Sequence, residues 1–380
     1  MRISGNWLTA PATQAVFDAL DAAGHQGFFV GGCVRNALLG VPVSDIDITS
    51  AAPPDIVTAT ATSAGLKVIP TGIEHGTVTV MSGGIAHEIT TFRRDVETNG
   101  RHAEVAFSTS LTEDATRRDF TMNALYADRT GKVTDPVGGL QDLEARRLRF
   151  IGDPDARISE DYLRILRFFR FHAWYGDAAQ GLDMEALAAC ASAAEGLDDL
   201  SAERIGAEML KLLRAPDPSQ AIAAMAQAGI LLRVMPGADA KALPILVHLE
   251  NGHLPDAARR VACLGGDGLK DRWRLSKRDA ARVDLLRDLI GADCSIAEVA
   301  YRQGEAVAWD VALLRGALFE QPIPPSTAAT IKTAIAAEFP LSATDLMPQL
   351  QGQALGTKLK ECEARWIASG FTLTKSELLE

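Results

Sequence analysis

The sequence predicts an α+β chain, with a mixed α/β unit around a small sheet in its N-terminal part and an all-helical remainder. Residues 28–150 alternate short β-branched runs with helical periodicity. The composition changes near residue 150. From about residue 158 onward Ala and Leu dominate and β-branched runs thin out. A chain of 380 residues has room for roughly two to four structural units.

The elements follow in order. A helix is expected at 13–23, then a strand at 27–30 that runs into Gly31-Gly32 and a helix at 34–39. A strand at 46–49 leads to a helix at 52–64, whose first turn carries Pro53-Pro54, where proline is tolerated. Strands are expected at 67–69, 77–81 and 87–92. In the second of these Thr77, Val78, Thr79 and Val80 alternate with period two, as a half-buried strand requires. The stretch from Arg94 to Phe107, with Asn99-Gly100 inside it, reads as a solvent-exposed hairpin, and Asp135-Pro136-Val137-Gly138-Gly139 as a turn closing the first domain. Helices are then expected at 184–194, 202–213, 219–228 and 280–289. Ala215-Pro216-Asp217-Pro218 and Met235-Pro236-Gly237 break the run.

Composition narrows the function. Hydrophobic content of 47% and charged content of 23% are those of an ordinary globular protein. No run approaches the ~18 apolar residues of a membrane helix. Residues 1–10 lack a basic region followed by an apolar core, so no secretory signal is expected. Five cysteines without a CxxC pair fit a reducing cytoplasm and offer no zinc site. The net charge of −11 argues against a general nucleic-acid binder. Local fields differ from the total, however. Arginines cluster at Arg93-Arg94, Arg117-Arg118, Arg146-Arg147 and Arg149, then at Arg164, Arg167 and Arg170. Another basic patch holds Lys270, Arg272, Arg274, Lys277 and Arg278. Focused basic strips on an acidic protein are expected to admit a polyanion at one face only.

Three constellations carry chemistry. In the first, Gly31-Gly32-Cys33-Val34-Arg35 joins a strand to a helix. Glycine lets backbone approach a phosphate, helix-start N–H groups point at the anion, and Arg35 adds a charged contact. Ser44-Asp45-Ile46-Asp47-Ile48 follows. Two residues apart on a strand, Asp45 and Asp47 face one side and the isoleucines the other. Neighbouring carboxylates repel unless a cation sits between them, and oxygen-only ligands suit Mg²⁺. Such ions activate an attacking hydroxyl and stabilise a leaving pyrophosphate. Either half alone is an ordinary turn or a solvated strand edge; the order strand–glycines–helix–strand–acids is far more specific.

The second constellation is Thr116-Arg117-Arg118-Asp119-Phe120-Thr121-Met122-Asn123. Arg118 suits a phosphate or sugar and Asp119 a ribose hydroxyl, unless the neighbouring charges simply pair with one another. The third is Glu160-Asp161-Tyr162-Leu163-Arg164-Ile165-Leu166-Arg167-Phe168-Phe169-Arg170. Tyr162, Ile165, Leu166 and Phe169 form one apolar helical stripe. Arg164, Arg167 and Arg170 step along the other side with no interleaved acids, a repulsion that a triphosphate would relieve. Asp161 and Arg164 are helix neighbours. Together they accept from an exocyclic amine and donate to the adjacent ring acceptor, which favours C and A over U and G. The bland alternative is an i,i+3 salt bridge.

With these residues in view, the chain resembles the polymerase-β-like nucleotidyltransferase superfamily and, within it, the tRNA nucleotidyltransferase/poly(A) polymerase family, most of all its second-class CCA-adding enzymes. The resemblance covers roughly residues 25–215. It implies a nucleotidyltransferase head at 1–145, a helical neck at 146–215 that recognises the base, and a helical body and tail at 216–380 that bind tRNA. It implies that Asp45 and Asp47 hold Mg²⁺, and that Gly32, Arg35 and Arg118 contact the incoming nucleotide. Asp161 and Arg164 become an amino-acid template for CTP and ATP, with Arg167 and Arg170 nearby on the nucleotide. Ser201-Ala202-Glu203-Arg204 looks like a later motif that supports these helices, and 94–107 looks like the loop implicated in switching from C to A. Glu88 is either a third acid or a strand-face partner of Arg93 or Arg94. The family usually has Asp where Asn36 stands, a departure that bears on a charged role there and not on the metal site.

Within the family, Ile73-Glu74-His75-Gly76-Thr77-Val78-Thr79-Val80 looks like the tRNA-enzyme version of its segment. The chain ends at Glu380 without a long basic tail, and no HxxHD motif occurs among seven histidines. CCA addition is therefore expected, ahead of poly(A) synthesis or partial CC- or A-only addition. A non-catalytic RNA-binding scaffold comes last. No membrane and no obligate protein partner are expected.

Overall fold

The computed structural model describes residues 1–70, 72–99, 102–347 and 349–380. It divides into two compact units, Met1–Val234 and Met235–Glu380.

The first unit carries a seven-stranded mixed sheet in the order β3-β4-β5-β2-β1-β8-β9. The strands are β1 Gly27–Val30, β2 Ile46–Ser50, β3 Lys67–Ile69, β4 Thr77–Ser82, β5 Ile85–Thr91, β8 Tyr126–Ala127 and β9 Val133–Thr134. Only the β2–β5 pair is parallel; every other neighbour runs antiparallel. β5 begins earlier than the sequence suggested because Gly83-Gly84 closes a two-residue hairpin. Both glycines have positive φ, 54° and 82°, as a turn matching the twist of a hairpin demands. β8 and β9 were not foreseen: two residues are too few to show a period. A separate hairpin pairs β6 Arg93–Asn99 with β7 His102–Phe107. Gly100, which the sequence placed within this hairpin, lies outside the described residues.

Helices Pro11–Ala22, Gly32–Leu39 and Pro54–Ser63 accompany the sheet, close to the expected positions. Phe120, Phe150, Phe168 and Phe171 pack together, with centroid separations of 4.8 Å for Phe120–Phe150 and 5.8 Å for the stacked Phe150–Phe168. Burying such a ring stabilises by roughly 2–3 kcal/mol. This cluster joins the Arg-Arg-Asp segment to the helix Leu163–Tyr175. That helix is more enclosed than a single stripe implies. Leu163, Phe168 and Phe171 are buried along with Ile165, Leu166 and Phe169. Tyr162 caps its start and is only half-buried.

The second unit is helical. A buried ionic cluster ties Arg259 to Glu250 and Asp310, each at 2.7 Å, and Arg260 to Glu250 at 2.7 Å. Lys270, Arg272, Arg274, Lys277 and Arg278 are all exposed around the buried Trp273. Among the described residues no helix is long and apolar enough to cross a membrane.

Candidate active site

The site begins at the end of β1. Gly31 caps the helix Gly32–Leu39 with φ 68° and ψ −119°, a conformation open to glycine and costly for other residues. A Cβ on Gly31 would lie 3.7 Å from Arg118 Nη1 and 3.6 Å from the Asn123 carbonyl oxygen. A Cβ on Gly32 would lie 3.8 Å from Arg35 Nη2. The double-glycine bend is therefore bare backbone flanked by two guanidiniums.

Asp45 directly precedes β2 and is exposed, and Asp47 lies half-buried on β2. Ile46 and Ile48 are buried, as the alternation requires. The Cys33 thiol faces the Val30 and Asp47 carbonyls at 3.4 and 3.6 Å, fastening the double-glycine helix to this strand. Burial pushes that thiol up to about 11, so it remains a protonated donor. In the parallel register Glu88 stands opposite Asp47. Burial and then repulsion from Glu88 push the Asp47 carboxyl up to about 6. Asp45 adds to the rise, while Arg118 and Arg35 oppose it. Glu88 makes no ion pair among the described residues, so pairing with Arg93 or Arg94 is not its role. No three His, Cys, Asp or Glu side chains form a ready metal cage among the described residues. Repelling, oxygen-only donors fit a hard divalent ion whose other ligands are water and substrate phosphate.

Arg118 is aimed by its own segment. The buried Asp114 receives Arg117 and Arg118, both at 2.9 Å, and the Tyr126 hydroxyl at 2.8 Å. Arg118 Nε also donates to Tyr126 at 3.1 Å. Neither sequence expectation for Asp119 holds: it pairs with neither neighbouring arginine, and its oxygens are already occupied. Oδ1 accepts from Phe120 N at 2.8 Å and Asn123 Nδ2 at 3.0 Å, and Oδ2 from Arg167 Nε at 2.7 Å. Although burial alone would raise it, Arg167 holds this carboxyl down at about 2.

The arginine row is compensated, contrary to the expected mutual repulsion. Arg164 pairs with Glu160, Arg167 with Asp119, and Arg170 with Glu208 at 2.5 Å. Arg164 Nη1 also donates to the Arg157 carbonyl at 2.7 Å, while Arg157 donates to the Arg118 carbonyl at 2.8 Å. Asp161 does not meet the Arg164 side chain. It accepts from Leu163 N at 3.0 Å and Arg204 Nη2 at 2.7 Å. Arg35, Arg167 and Arg170 surround the Phe171 ring at 5.2, 5.4 and 4.3 Å. Arg35 itself binds Asn36, Asn123 and Tyr175.

Sequence reasoning assigned no site role to Asp114, Tyr126, Asn123, Tyr175 or Glu208. Glu160 had a signal, four residues before Arg164. Tyr175, 140 residues from Arg35, had none.

Residues 27–149 match the family model described as the Poly A polymerase head domain, and 181–241 the one described as the probable RNA and SrmB-binding site of polymerase A. The chain is 42% identical over 213 residues to the CCA-adding enzyme of Geobacillus thermodenitrificans, covering 56% of this chain and 51% of that protein. It is 37% identical over 300 residues to the CCA-adding enzyme of Streptococcus gordonii, covering 73% of each. The chain spans about half the length of the first few curated relatives it matches. Its fold is similar to that of the Bacillus stearothermophilus CCA-adding enzyme in complex with CTP, with TM-score 0.71 and 26% identity over 94% of this chain and 93% of that one. It also resembles the fold of the Thermotoga maritima CCA-adding enzyme complexed with tRNA, with TM-score 0.71 and 18% identity over 100% of this chain and 97% of that one.

Proposed function

The chain belongs to the family of CCA-adding enzymes, and on that premise we propose that it transfers CMP and AMP from CTP and ATP to the 3′ end of tRNA, building or repairing CCA. The observation that carries this reading is an Asp47 carboxylate that feels the charges of Glu88, Arg118, Asp45 and Arg35, with Arg118 and Arg35 flanking a bare double-glycine bend.

In this reading the backbone N–H groups at Gly32 and the Arg35 and Arg118 guanidiniums bind the triphosphate. Asp45 and Asp47 hold Mg²⁺, with Glu88 beside them. When bound, the metal would lower the pKa of the attacking RNA 3′-hydroxyl and neutralise the pyrophosphate that leaves the α-phosphorus. Asp161 and Arg164 read the base. Each Asp161 oxygen already accepts one hydrogen bond, and a carboxylate oxygen has a second lone pair for an exocyclic amine. Glu160 holds Arg164 in place beside it. U and G present a carbonyl where the carboxylate needs a donor, an unpaired contact worth roughly 1–3 kcal/mol. Arg167 and Arg170 complete the nucleotide surface.

The proposal assigns residues 1–145 to the catalytic head, 146–215 to the neck and 216–380 to tRNA binding, with Lys270, Arg272, Arg274, Lys277 and Arg278 on RNA phosphates. It places the protein in the cytoplasm, where free cysteines persist.

The deciding experiment supplies a tRNA lacking its 3′ end, Mg²⁺ and single labelled nucleotides. Two CMP additions followed by one AMP support the proposal. An open ladder with ATP alone indicates poly(A) synthesis, addition that stops at CC or needs a preformed CC indicates a partial enzyme, and no incorporation indicates a scaffold.

A further inference from the structure

We propose that Asn36 is a positioning residue whose neutral side chain orients the buried Arg35 guanidinium without neutralising it, so that the triphosphate of the incoming nucleotide becomes that cation's counter-charge. The inference rests on the nucleotide-transfer reading above.

Arg35 is only 6% exposed. Its neighbours Arg118, Arg164, Arg167 and Arg170 each have a carboxylate partner. Arg35 has none among the described residues. Its acceptors are the neutral Asn123 Oδ1 at 2.5 Å, the Tyr175 hydroxyl at 2.8 Å, and Asn36 Oδ1 at 3.2 Å from Nε and 3.0 Å from Nη2. Those bonds use four of the five guanidinium N–H groups and leave one on Nη1. The guanidinium stacks 4.0 Å from the Tyr175 ring centroid, so its plane is fixed. A buried cation with no carboxylate in contact is costly, and burial lowers the pKa of Arg35, although the Asp119 charge beyond Asn123 opposes the fall. An arriving polyanion relieves that cost. The remaining N–H, on Nη1, is the one left to meet it, on a guanidinium that lies beside the Gly32 backbone.

Asn36 is held at both ends. Its carbonyl faces Arg35, and its Nδ2 donates to the Pro42 carbonyl at 3.1 Å, in the segment leading to Asp45. Only an amide serves both contacts; a carboxylate of the same shape would keep Arg35, lose Pro42 and cancel the charge.

The test compares Asn36→Asp and Asn36→Ser with the wild-type chain. In Asn36→Asp, KM for CTP and for ATP rises by the same factor, about tenfold, with kcat within about threefold, because the triphosphate is common to both. Direct binding of inorganic pyrophosphate, which needs no turnover, weakens by the same factor. The melting temperature stays at or above that of the wild type, since a counter-charge has been added. Asn36→Ser, neutral but too short to hold both contacts, raises KM by clearly less than Asn36→Asp does. Unchanged KM in Asn36→Asp, unequal shifts for CTP and ATP, a fall in its melting temperature, or an equal KM rise in Asn36→Ser overturns the inference. A wild-type protein that binds pyrophosphate but transfers no nucleotide refutes the transfer reading instead.

Discussion

Asp47→Asn should abolish transfer and, at the same time, stabilise the metal-free protein. The Asp47 carboxyl rises from 3.8 to about 6 on folding, through burial first and the Glu88 charge second. A raised carboxyl means that the folded state binds the proton more tightly than the unfolded chain. Stability therefore falls as pH climbs from about 4 to about 6, and the penalty is complete above that window. A shift of about two units corresponds to about 3 kcal/mol at neutral pH. Because Asp47 is only half-buried, solvent screening reduces this to about 1–2 kcal/mol. For a unit the size of Met1–Val234 that is roughly 3–6 °C in melting temperature. The assay is thermal melting of both proteins without divalent ions. At about pH 8 the variant should melt higher, and at about pH 4.5 the gain should shrink to about a third. Added Mg²⁺ should raise the wild-type transition and leave the variant unmoved. A variant that gains nothing at about pH 8, or gains equally at both values, refutes the argument that these acids are held together at a cost.

The same raised carboxyl predicts that Mg²⁺ binding weakens by about fourfold between pH 7.5 and 5.5, as Asp47 takes up its proton, which calorimetric titration at the two pH values would check. Arg164→Ala should relax base choice more than it lowers RNA affinity; if UTP and GTP remain excluded in single-nucleotide incorporation, the template assignment is wrong. Lys277→Ala together with Arg278→Ala should weaken tRNA binding and reduce its salt slope by about 1.4–1.8, leaving the KM for CTP unchanged, and an unaltered slope would remove these residues from the RNA face.

The local parts of this architecture were legible in the sequence. The strand–Gly31-Gly32–helix–Asp45-Ile46-Asp47 order is contained within two dozen residues, and each step has its own chemistry. The arginine helix was legible as a helix but not as an electrostatic object. Its counter-charges come from far away: Asp119 lies 48 residues before Arg167, and Glu208 lies 38 residues after Arg170. Side-chain pairing at that range leaves no periodic trace. For the same reason the sequence does not reveal that Asp119 is enclosed by Phe120, Asn123 and Arg167. The Asp161–Arg164 spacing was real, yet Asp161 turns to Arg204, because a residue at a helix start points its side chain back at the backbone and at the neighbouring helix.

The buried chain from Arg35 through Asn123 and Asp119 to Arg167 behaves as a spacer of set length. One end lies beside the double-glycine bend, and the other is part of the helix that begins beside Asp161. On the nucleotide-transfer reading, a pyrimidine and a purine nucleotide differ in the span from sugar to reading edge, yet this spacer is fixed by a hydrogen bond at every link. On that reading, accommodation of the two sizes falls to the Asp161 and Arg164 side chains, while the frame beneath stays constant. If the proposed base reading holds, drift in fidelity would then arise from substitutions at those two side chains, whereas substitutions along the spacer would cost the fold itself.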